Sequence, residues 1–170
     1  MKVLMITLLT FFFTGTLIAQ KTNSVDTSKV AFFSKEASGV FKILSGNIVT
    51  DEGNVPTSFD LSIDVTSLKM SSGMQTKHAK SSEWFHASQY PNIQFKSTEV
   101  FKNDAGLFAK GELTLHGVSK TVTLPIKMDT ENKYISFMTK FKVKRKDFGM
   151  ALDRKEAPII QVIAKVFIES

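Results

Sequence analysis

FDLSIDV, residues 59–65, alternates apolar and polar side chains without a break. Successive side chains of a β-strand point to opposite faces, so this period of two predicts a strand with one dry and one solvated face. The same period dominates the chain from about Val30 onward. The stretch therefore decides the fold class, and we predict an all-β protein.

Seven further segments repeat the alternation, which gives about eight strands: residues 30–33, 39–49, 93–96, 107–116, 121–128, 135–144 and 160–169. Short turn sequences separate many of them, which favours antiparallel neighbours in a closed sheet or a sandwich. Eight strands form the smallest common closed barrel, whose interior either fills with side chains or holds one small ligand. We therefore predict an eight-stranded antiparallel barrel.

One long segment departs from this rhythm, SGMQTKHAKSSEWFHASQYPNIQFKST at residues 72–98. Ser71 or Ser72 suits the N-cap of a short helix over residues 74–80, and Pro91 stops any helix before the next strand. Two interpretations of its aromatic residues remain open. They either pin the segment to the barrel, or they form the wall or mouth of a cavity; the residues are Trp84, Phe85 and Tyr90.

The first nineteen residues read as an export signal. Lys2 precedes an apolar run over residues 3–13, which is too short for a transmembrane helix, and small residues lead to a cleavage site near Ala19/Gln20. We therefore expect a soluble periplasmic protein formed by residues 20–170 as a single domain. The chain contains no cysteine, so its core alone holds the fold.

Composition narrows the function further. The net charge of +6 is spread out, which is compatible with a solvated surface or with transient contact with anionic membranes, and no basic–aromatic run points to nucleic acid. Of the fifteen Phe residues, three lie in the signal segment. The other Phe side chains have no polar atom and must fill a core or line an apolar cavity.

Catalytic and metal-binding patterns are weak. The histidines, His78, His86 and His116, are dispersed, and no convergent ligand set accompanies them. The chain lacks a cysteine nucleophile and a G-x-S-x-G elbow, while Asp60 and Asp64 fall on the solvated face of their strand. We predict a protein that is not an enzyme, with no catalytic residue, no metal and no required cofactor.

Five motifs, in order, resemble those of the YceI-like family: VDTS at 25–28, IDVTSL at 63–68, HAKSSEWFHASQYPNIQFKS at 78–97, GELTLHGVSKTV at 111–122 and RKDFG at 145–149. The resemblance covers nearly all of the chain after the signal segment. It implies a lipocalin-like barrel with a short helical segment after the third strand. It also implies a hydrophobic tunnel that binds a long isoprenoid chain, such as a polyprenyl lipid or an isoprenoid quinone.

The resulting hypothesis is a periplasmic carrier that encloses an isoprenoid chain. The candidate tunnel lining is Phe41, Ile43, Leu61, Ile63, Trp84, Phe85, Phe95, Leu113, Leu115, Ile126, Phe137 and Phe141. His78 is a candidate rim group. Arg145 and Asp147, two apart on a predicted strand, are candidates for barrel closure or for contact with the ligand.

One departure from the family pattern concerns the position before His78. Many family members carry an Arg-Asp pair there, whereas this chain has Thr76-Lys77, so the acidic partner is absent. This shifts the expectation from recognition of a polar headgroup toward plain hydrophobic enclosure. Two alternatives stay open: an envelope stress or interaction protein with a packed barrel, and an accessory factor in isoprenoid or quinone metabolism. The fold is compatible with a homodimer, although no sequence feature requires one.

Overall fold

The computed structural model describes residues 19–35, 37–150 and 159–170, apart from the side chain of Glu131. Most of the predicted signal segment, residues 1–18, lies outside this range. The described strands are β1 (Lys21–Ser24), β2 (Thr27–Phe33), β3 (Ser38–Phe41), β4 (Leu44–Thr50), β5 (Pro56–Asp64), β6 (Leu68–Met70), β7 (Asn92–Asn103), β8 (Gly106–Leu115), β9 (Val118–Glu131), β10 (Tyr134–Lys144) and β11 (Ile159–Glu169). One α-helix, α1 (Gly73–Lys80), and two 3-10 helices, Val65–Ser67 and Arg145–Phe148, complete the described elements.

All strand pairs are antiparallel, and the strands form one sheet in the order β1-β4-β5-β7-β8-β9-β10-β11-β2-β3-β6. The sheet curls so that its two halves meet near the link between β1 and β2. Val25 N donates to the carbonyl of Gly46 in one half, and Asp26 N donates to the carbonyl of Phe167 in the other, both at 2.9 Å. The prediction of an antiparallel, all-β, lipocalin-like barrel is confirmed.

The strand count of eight is wrong, because the described sheet has eleven strands. The predicted strand over residues 39–49 is broken into β3 and β4. At the break, the hydroxyl oxygen of Ser67 accepts hydrogen bonds from the backbone N–H groups of Lys42 and Ile43, each at 3.1 Å, and these groups are lost to the ladder. The short strands β1 and β6 are the other two additions; at four and three residues, they carry too little alternation to be recognised.

The inward faces of the strands form one apolar core. Ile48, Leu68 and Ile168 are fully buried there, and Ile135 is 1% exposed. Gly46 permits a close approach of two strands, because a Cβ atom on it would lie 2.1 Å from the carbonyl oxygen of Asp60. In the part of the chain that the structure describes, no helix has the length and apolar character needed to span a membrane.

Residues 72–91, which we call the cap segment, lie between β6 and β7. Ser72 is the N-cap of α1 and accepts a hydrogen bond from the backbone of Gln75, as predicted from its hydroxyl group. The helix ends at Lys80, well before Pro91, and the chain continues in tight turns. Ala79, Phe85 and Ala87 are buried. Residues 79–87 therefore anchor the cap segment to the core.

Candidate functional site

A cavity occupies one end of the curled sheet. Its volume is about 110 Å³, and its wall is formed by Val30, Phe32, Phe41, Leu44, Leu61, Ile63, Phe85, Ile93, Gln94, Phe95, Leu113, Leu115, Leu124, Thr139, Phe141, Val143, Ile160, Val162 and Ala164. Two of these residues are polar, and none is ionisable. The wall is built this way because each contributing strand turns every second side chain inward.

The opposite end of the sheet, which we call the packed end, holds buried side chains in close contact. There Phe59 and Phe137 meet edge to face, with ring centroids 5.7 Å apart and an interplanar angle of 86°. Ile135 and Ile168, which are paired in register two residues from the Phe137–Val166 pair, are buried at this end of the core. The interior therefore combines a cavity at one end with a packed core at the other, and the described cavity does not reach the packed end.

Three aromatic rings meet where the cap segment covers the cavity. Phe85 lies edge-on to Phe41 at 5.6 Å between centroids and to Phe32 at 5.9 Å, and Phe32 and Phe41 are 5.9 Å apart. Phe85 comes from the cap segment, while its two partners come from β2 and β3. Edge-to-face pairs of this kind each contribute about 0.5–1.5 kcal/mol beyond simple burial. The cluster fastens the cap segment directly over the cavity.

Thr139 is the polar residue set furthest inside the wall. Its hydroxyl oxygen is buried and makes no hydrogen bond in the structure. Gln94, the other polar residue of the wall, is exposed. An unpaired buried hydroxyl costs about 1–3 kcal/mol, so Thr139 lowers stability unless a bound molecule supplies a partner.

A second cluster joins the cap segment to the turn between β8 and β9. The rings of Tyr90 and His116 lie 4.6 Å apart, and His86 is 5.7 Å from Tyr90 and 6.3 Å from His116. Burial lowers the pKa of His116 below its usual value; a hydrogen bond to the backbone of Phe148 opposes this shift, and the charge of His86 reinforces it. Among the described residues, no group of three or more potential ligands is arranged to hold a metal ion.

The family of this chain follows from a comparison with models of known families. The model of the YceI-like domain matches residues 18–169. This chain belongs to the YceI-like family. Protein YceI of Escherichia coli O157:H7 is 33% identical over 122 residues, which are 68% of this chain and 64% of that protein. UPF0312 protein plu2095 of Photorhabdus laumondii matches with the same identity and coverage. The match thus spans less than two thirds of the length of these relatives.

Several solved structures share the fold of this chain. BcnA of Burkholderia cenocepacia superposes with a TM-score of 0.74 at 25% identity, covering 82% of this chain and 95% of BcnA. The YCEI protein of Campylobacter jejuni gives 0.71 at 25% identity, covering 78% and 84%. A polyisoprenoid binding domain from Saccharophagus degradans gives 0.64 at 16% identity, covering 91% and 99%. At that identity, the last likeness concerns the fold alone.

The cavity wall of this YceI-like protein contains eight of the twelve residues named as lining candidates: Phe41, Leu61, Ile63, Phe85, Phe95, Leu113, Leu115 and Phe141. Their contact with a ligand stays a prediction. Strand alternation places seven of them on the same side of the sheet, and Phe85 reaches the cavity from the cap segment.

Four candidates lie elsewhere. Ile43 is 53% exposed, because the break between β3 and β4 removes it from the face that Phe41 occupies. Phe137 belongs to the packed end of the core. Ile126 is partly buried against the core but does not reach the cavity. Trp84 lies outside the wall and contacts polar groups of the cap segment and of the second 3-10 helix.

The three predicted rim residues also lie in different surroundings. Arg145 is buried and stacks over the ring of Trp84, whereas Asp147 is exposed, because both lie on a 3-10 helix and not on a strand. His78 Nε2 accepts a hydrogen bond from the indole N–H of Trp84 at 3.0 Å. Lys77 stands at the position before His78 where many family members have an acidic residue, and a carboxylate oxygen of Glu83, further along the cap segment, lies 3.7 Å from the same nitrogen.

Eleven residues of the wall are not among the predicted lining residues: Val30, Phe32, Leu44, Ile93, Gln94, Leu124, Thr139, Val143, Ile160, Val162 and Ala164. Most of them share the inward register of residues that were selected. The signal for Thr139 was its place midway between Phe137 and Phe141, which puts its side chain on the inward face despite its polarity. That one polar residue in an apolar row passed unnoticed.

Proposed function

We propose that this YceI-like protein is a periplasmic carrier that holds a long isoprenoid chain, either a polyprenyl lipid or the tail of an isoprenoid quinone. The observation that carries the proposal is the apolar cavity beneath the cap segment, whose wall has no ionisable side chain. The description of the Saccharophagus degradans domain as polyisoprenoid binding is in keeping with such a ligand.

The energetics favour a hydrocarbon ligand. Each buried methylene contributes about 0.8 kcal/mol, so a five-carbon isoprenoid unit contributes about 3–4 kcal/mol before the costs of binding. A branched chain also suits a wall of Phe, Leu, Ile and Val side chains, because dispersion contacts depend on close packing. Affinity should therefore rise with chain length and respond little to salt.

The size of the cavity sets a condition on this function. Its volume of about 110 Å³ is smaller than the roughly 150 Å³ of an engineered cavity that accepts benzene. A long isoprenoid chain therefore requires the wall to move. The cap segment is the part of the wall that can move at the lowest cost in free energy. Its contribution to the wall is the ring of Phe85, and moving it breaks no hydrogen bonds between strands.

We further propose that the protein acts by binding and not by catalysis. A catalytic role in isoprenoid metabolism would require a titratable or nucleophilic group at the ligand, and the described wall offers only the Thr139 hydroxyl and the amide of Gln94. The hydroxyl has no neighbouring base to activate it, since no ionisable side chain lines the cavity.

The test has two arms. Protein purified from cells is extracted with organic solvent and the extract analysed by mass spectrometry; the purified protein is also titrated with isoprenoid alcohols of increasing length. Recovery of an isoprenoid, or affinity that rises with each added unit, supports the carrier. If neither is seen, the cavity is a packing defect of an interaction protein and the proposed function is wrong.

A further inference from the structure

The outer surface of one half of the sheet carries an unusual charge distribution. The strands are β10, β11, β2, β3 and β6, and their register aligns Lys140, Ile163, Ala31, Val40 and Lys69 in a row across all five. Residues two apart along each strand continue this outward face. We call it the basic face. One of its lysines, Lys165, lies over the ring of Phe167 at 4.7 Å, and its five further lysines are Lys29, Lys69, Lys140, Lys142 and Lys144.

Apolar side chains lie between these lysines. Phe33, Val40 and Ile159 are 44%, 38% and 44% exposed. Phe33 pairs with Gln161 of β11, and Ile159 lies two residues from Gln161 on the same side of that strand. A ring and two branched chains thus stand on the surface, flanked by ammonium groups. Large apolar side chains gathered on one exposed face indicate an interaction surface.

Acidic side chains are scarce on this face. Over the described residues of its five strands, Glu169 is the one carboxylate, and it pairs at the far end of β11 with Lys133 at 3.2 Å. No ion pair between described residues involves the five further lysines of the basic face. Their charges therefore add together and are not cancelled by neighbouring strands.

The other half of the sheet is arranged differently. There Lys96 is aligned between Asp60 of β5 and Glu112 of β8, and its ammonium lies 3.6 Å from the Asp60 carboxylate. Lys110 of β8 is likewise paired in register with Glu99 of β7. Lysines on that surface thus alternate with carboxylates. The contrast shows that the positive charge of the chain is concentrated on one side of the barrel.

We infer that the basic face docks the protein on an anionic phospholipid surface. These five lysines suit phosphate headgroups, and Phe33, Val40 and Ile159 suit the boundary between headgroups and acyl chains. A second copy of the chain is a poor occupant, because it would place lysines against lysines. The inference goes beyond the proposed function and does not depend on which molecule the cavity holds.

The effect of charge is measurable. A lysine near an anionic membrane contributes about 1 kcal/mol, which corresponds to about a fivefold change in affinity, so removing two should weaken binding roughly 25-fold. The test is co-sedimentation of the purified protein with vesicles of equal parts phosphatidylglycerol and phosphatidylcholine, at neutral pH and low salt. The variant is the double substitution Lys140→Gln and Lys142→Gln.

The matched control removes the same charge from the opposite surface, with Lys96→Gln and Lys110→Gln. We expect that pair to bind as the unchanged protein does, and we expect high salt to release the unchanged protein. Phe33→Ser should weaken binding at low salt although it changes no charge. Circular dichroism checks that each variant is folded. The salt dependence is measured on the unchanged protein, so it does not depend on the folding of any variant.

The inference is overturned if pure phosphatidylcholine vesicles bind the protein equally well, or if both double variants lose affinity alike. It is also overturned if the protein ignores vesicles but binds duplex DNA or self-associates in sedimentation experiments. Because none of these measurements uses an isoprenoid, their failure leaves the carrier proposal untouched, and failure of the carrier proposal leaves the docking face untouched.

Discussion

The ring of Trp84 lies against the guanidinium group of Arg145, with the guanidinium carbon 4.6 Å from the ring centroid, although the two residues are sixty-one positions apart in the sequence. Arg145 is 3% exposed, so this contact is largely shielded from water. The indole N–H also donates to His78. Trp84 therefore ties α1 and the second 3-10 helix together, and it holds the cap segment from outside the cavity.

Two substitutions of Trp84 distinguish its contact with Arg145 from its hydrogen bond to His78. Trp84→Ala should lower the free energy of unfolding by about 2–3 kcal/mol, because it removes a partly buried ring together with its contact to the buried guanidinium group of Arg145. Trp84→Phe retains a ring for Arg145 but has no N–H for His78, so it should cost less than half as much. Urea unfolding measures both values. Equal losses would mean that the hydrogen bond to His78 carries the stabilisation.

Ala164 permits a direct test of the cavity. Its side chain lines the wall, where β11 pairs with Thr139 of β10 and Val30 of β2. Ala164→Leu should fill part of the cavity and weaken isoprenoid binding at least about tenfold, because the ligand would have to displace the added carbons. Fluorescence titration with an isoprenoid alcohol measures the change.

The control for this variant is Ala31→Leu, which adds the same group to the adjacent strand on its outward side. In a titration without vesicles it should leave affinity unchanged. If both variants bind normally, the isoprenoid does not enter this cavity.

The alternation of apolar and polar residues was enough to predict most of the strands. It identified the inward faces of β5, β7 and β8, and eight of the predicted lining residues lie on the cavity wall. Strand β3 shows the limit. The sequence continues its alternation past Phe41, but the hydroxyl of Ser67, twenty-four residues from Ile43, takes up the backbone N–H groups there. A distant side chain decides that break, so local periodicity does not reveal it.

The site shows the same division between local and distant causes. A period of two places Phe137 and Phe141 on the same face, yet Phe137 fills the packed end and Phe141 lines the cavity. Which end stays open depends on the volumes of side chains from many strands. The basic face was missed for a related reason, because its lysines come from four strands that only the sheet order brings together.

Thr139 offers a test of the polar content of the wall. Its buried hydroxyl lacks a partner, so Thr139→Val should raise the free energy of unfolding by about 1 kcal/mol. The shape of the side chain is nearly conserved, and the binding of a hydrocarbon tail should persist. Thr139→Ser is the control, since it keeps the hydroxyl, loses a methyl group and should be destabilising. A loss of ligand affinity in Thr139→Val alone would show that the hydroxyl contacts a polar group of the ligand.

His116 should make the stability of the protein depend on pH. Burial lowers its pKa in the folded state below the usual value of about 6.5, which the unfolded chain retains. Between these two values the unfolded chain binds more protons than the folded one, so the free energy of unfolding falls as pH decreases through this window. Above about pH 6.5 both states are neutral at this residue, and its contribution is constant.

The variant His116→Asn should flatten this dependence. The backbone of His116 has a φ of 53°, a left-handed conformation that asparagine tolerates, so the substitution removes the titrating ring without forcing the turn to change. His86→Asn, at a position with a φ of 46°, is the control: it removes the charged neighbour but leaves the burial of His116, and most of the slope should remain. Urea unfolding between about pH 5 and pH 8 gives the slopes. If His116→Asn keeps the full slope, the proton uptake belongs to another group, and the contact between the cap segment and the β8–β9 turn is not what acid weakens.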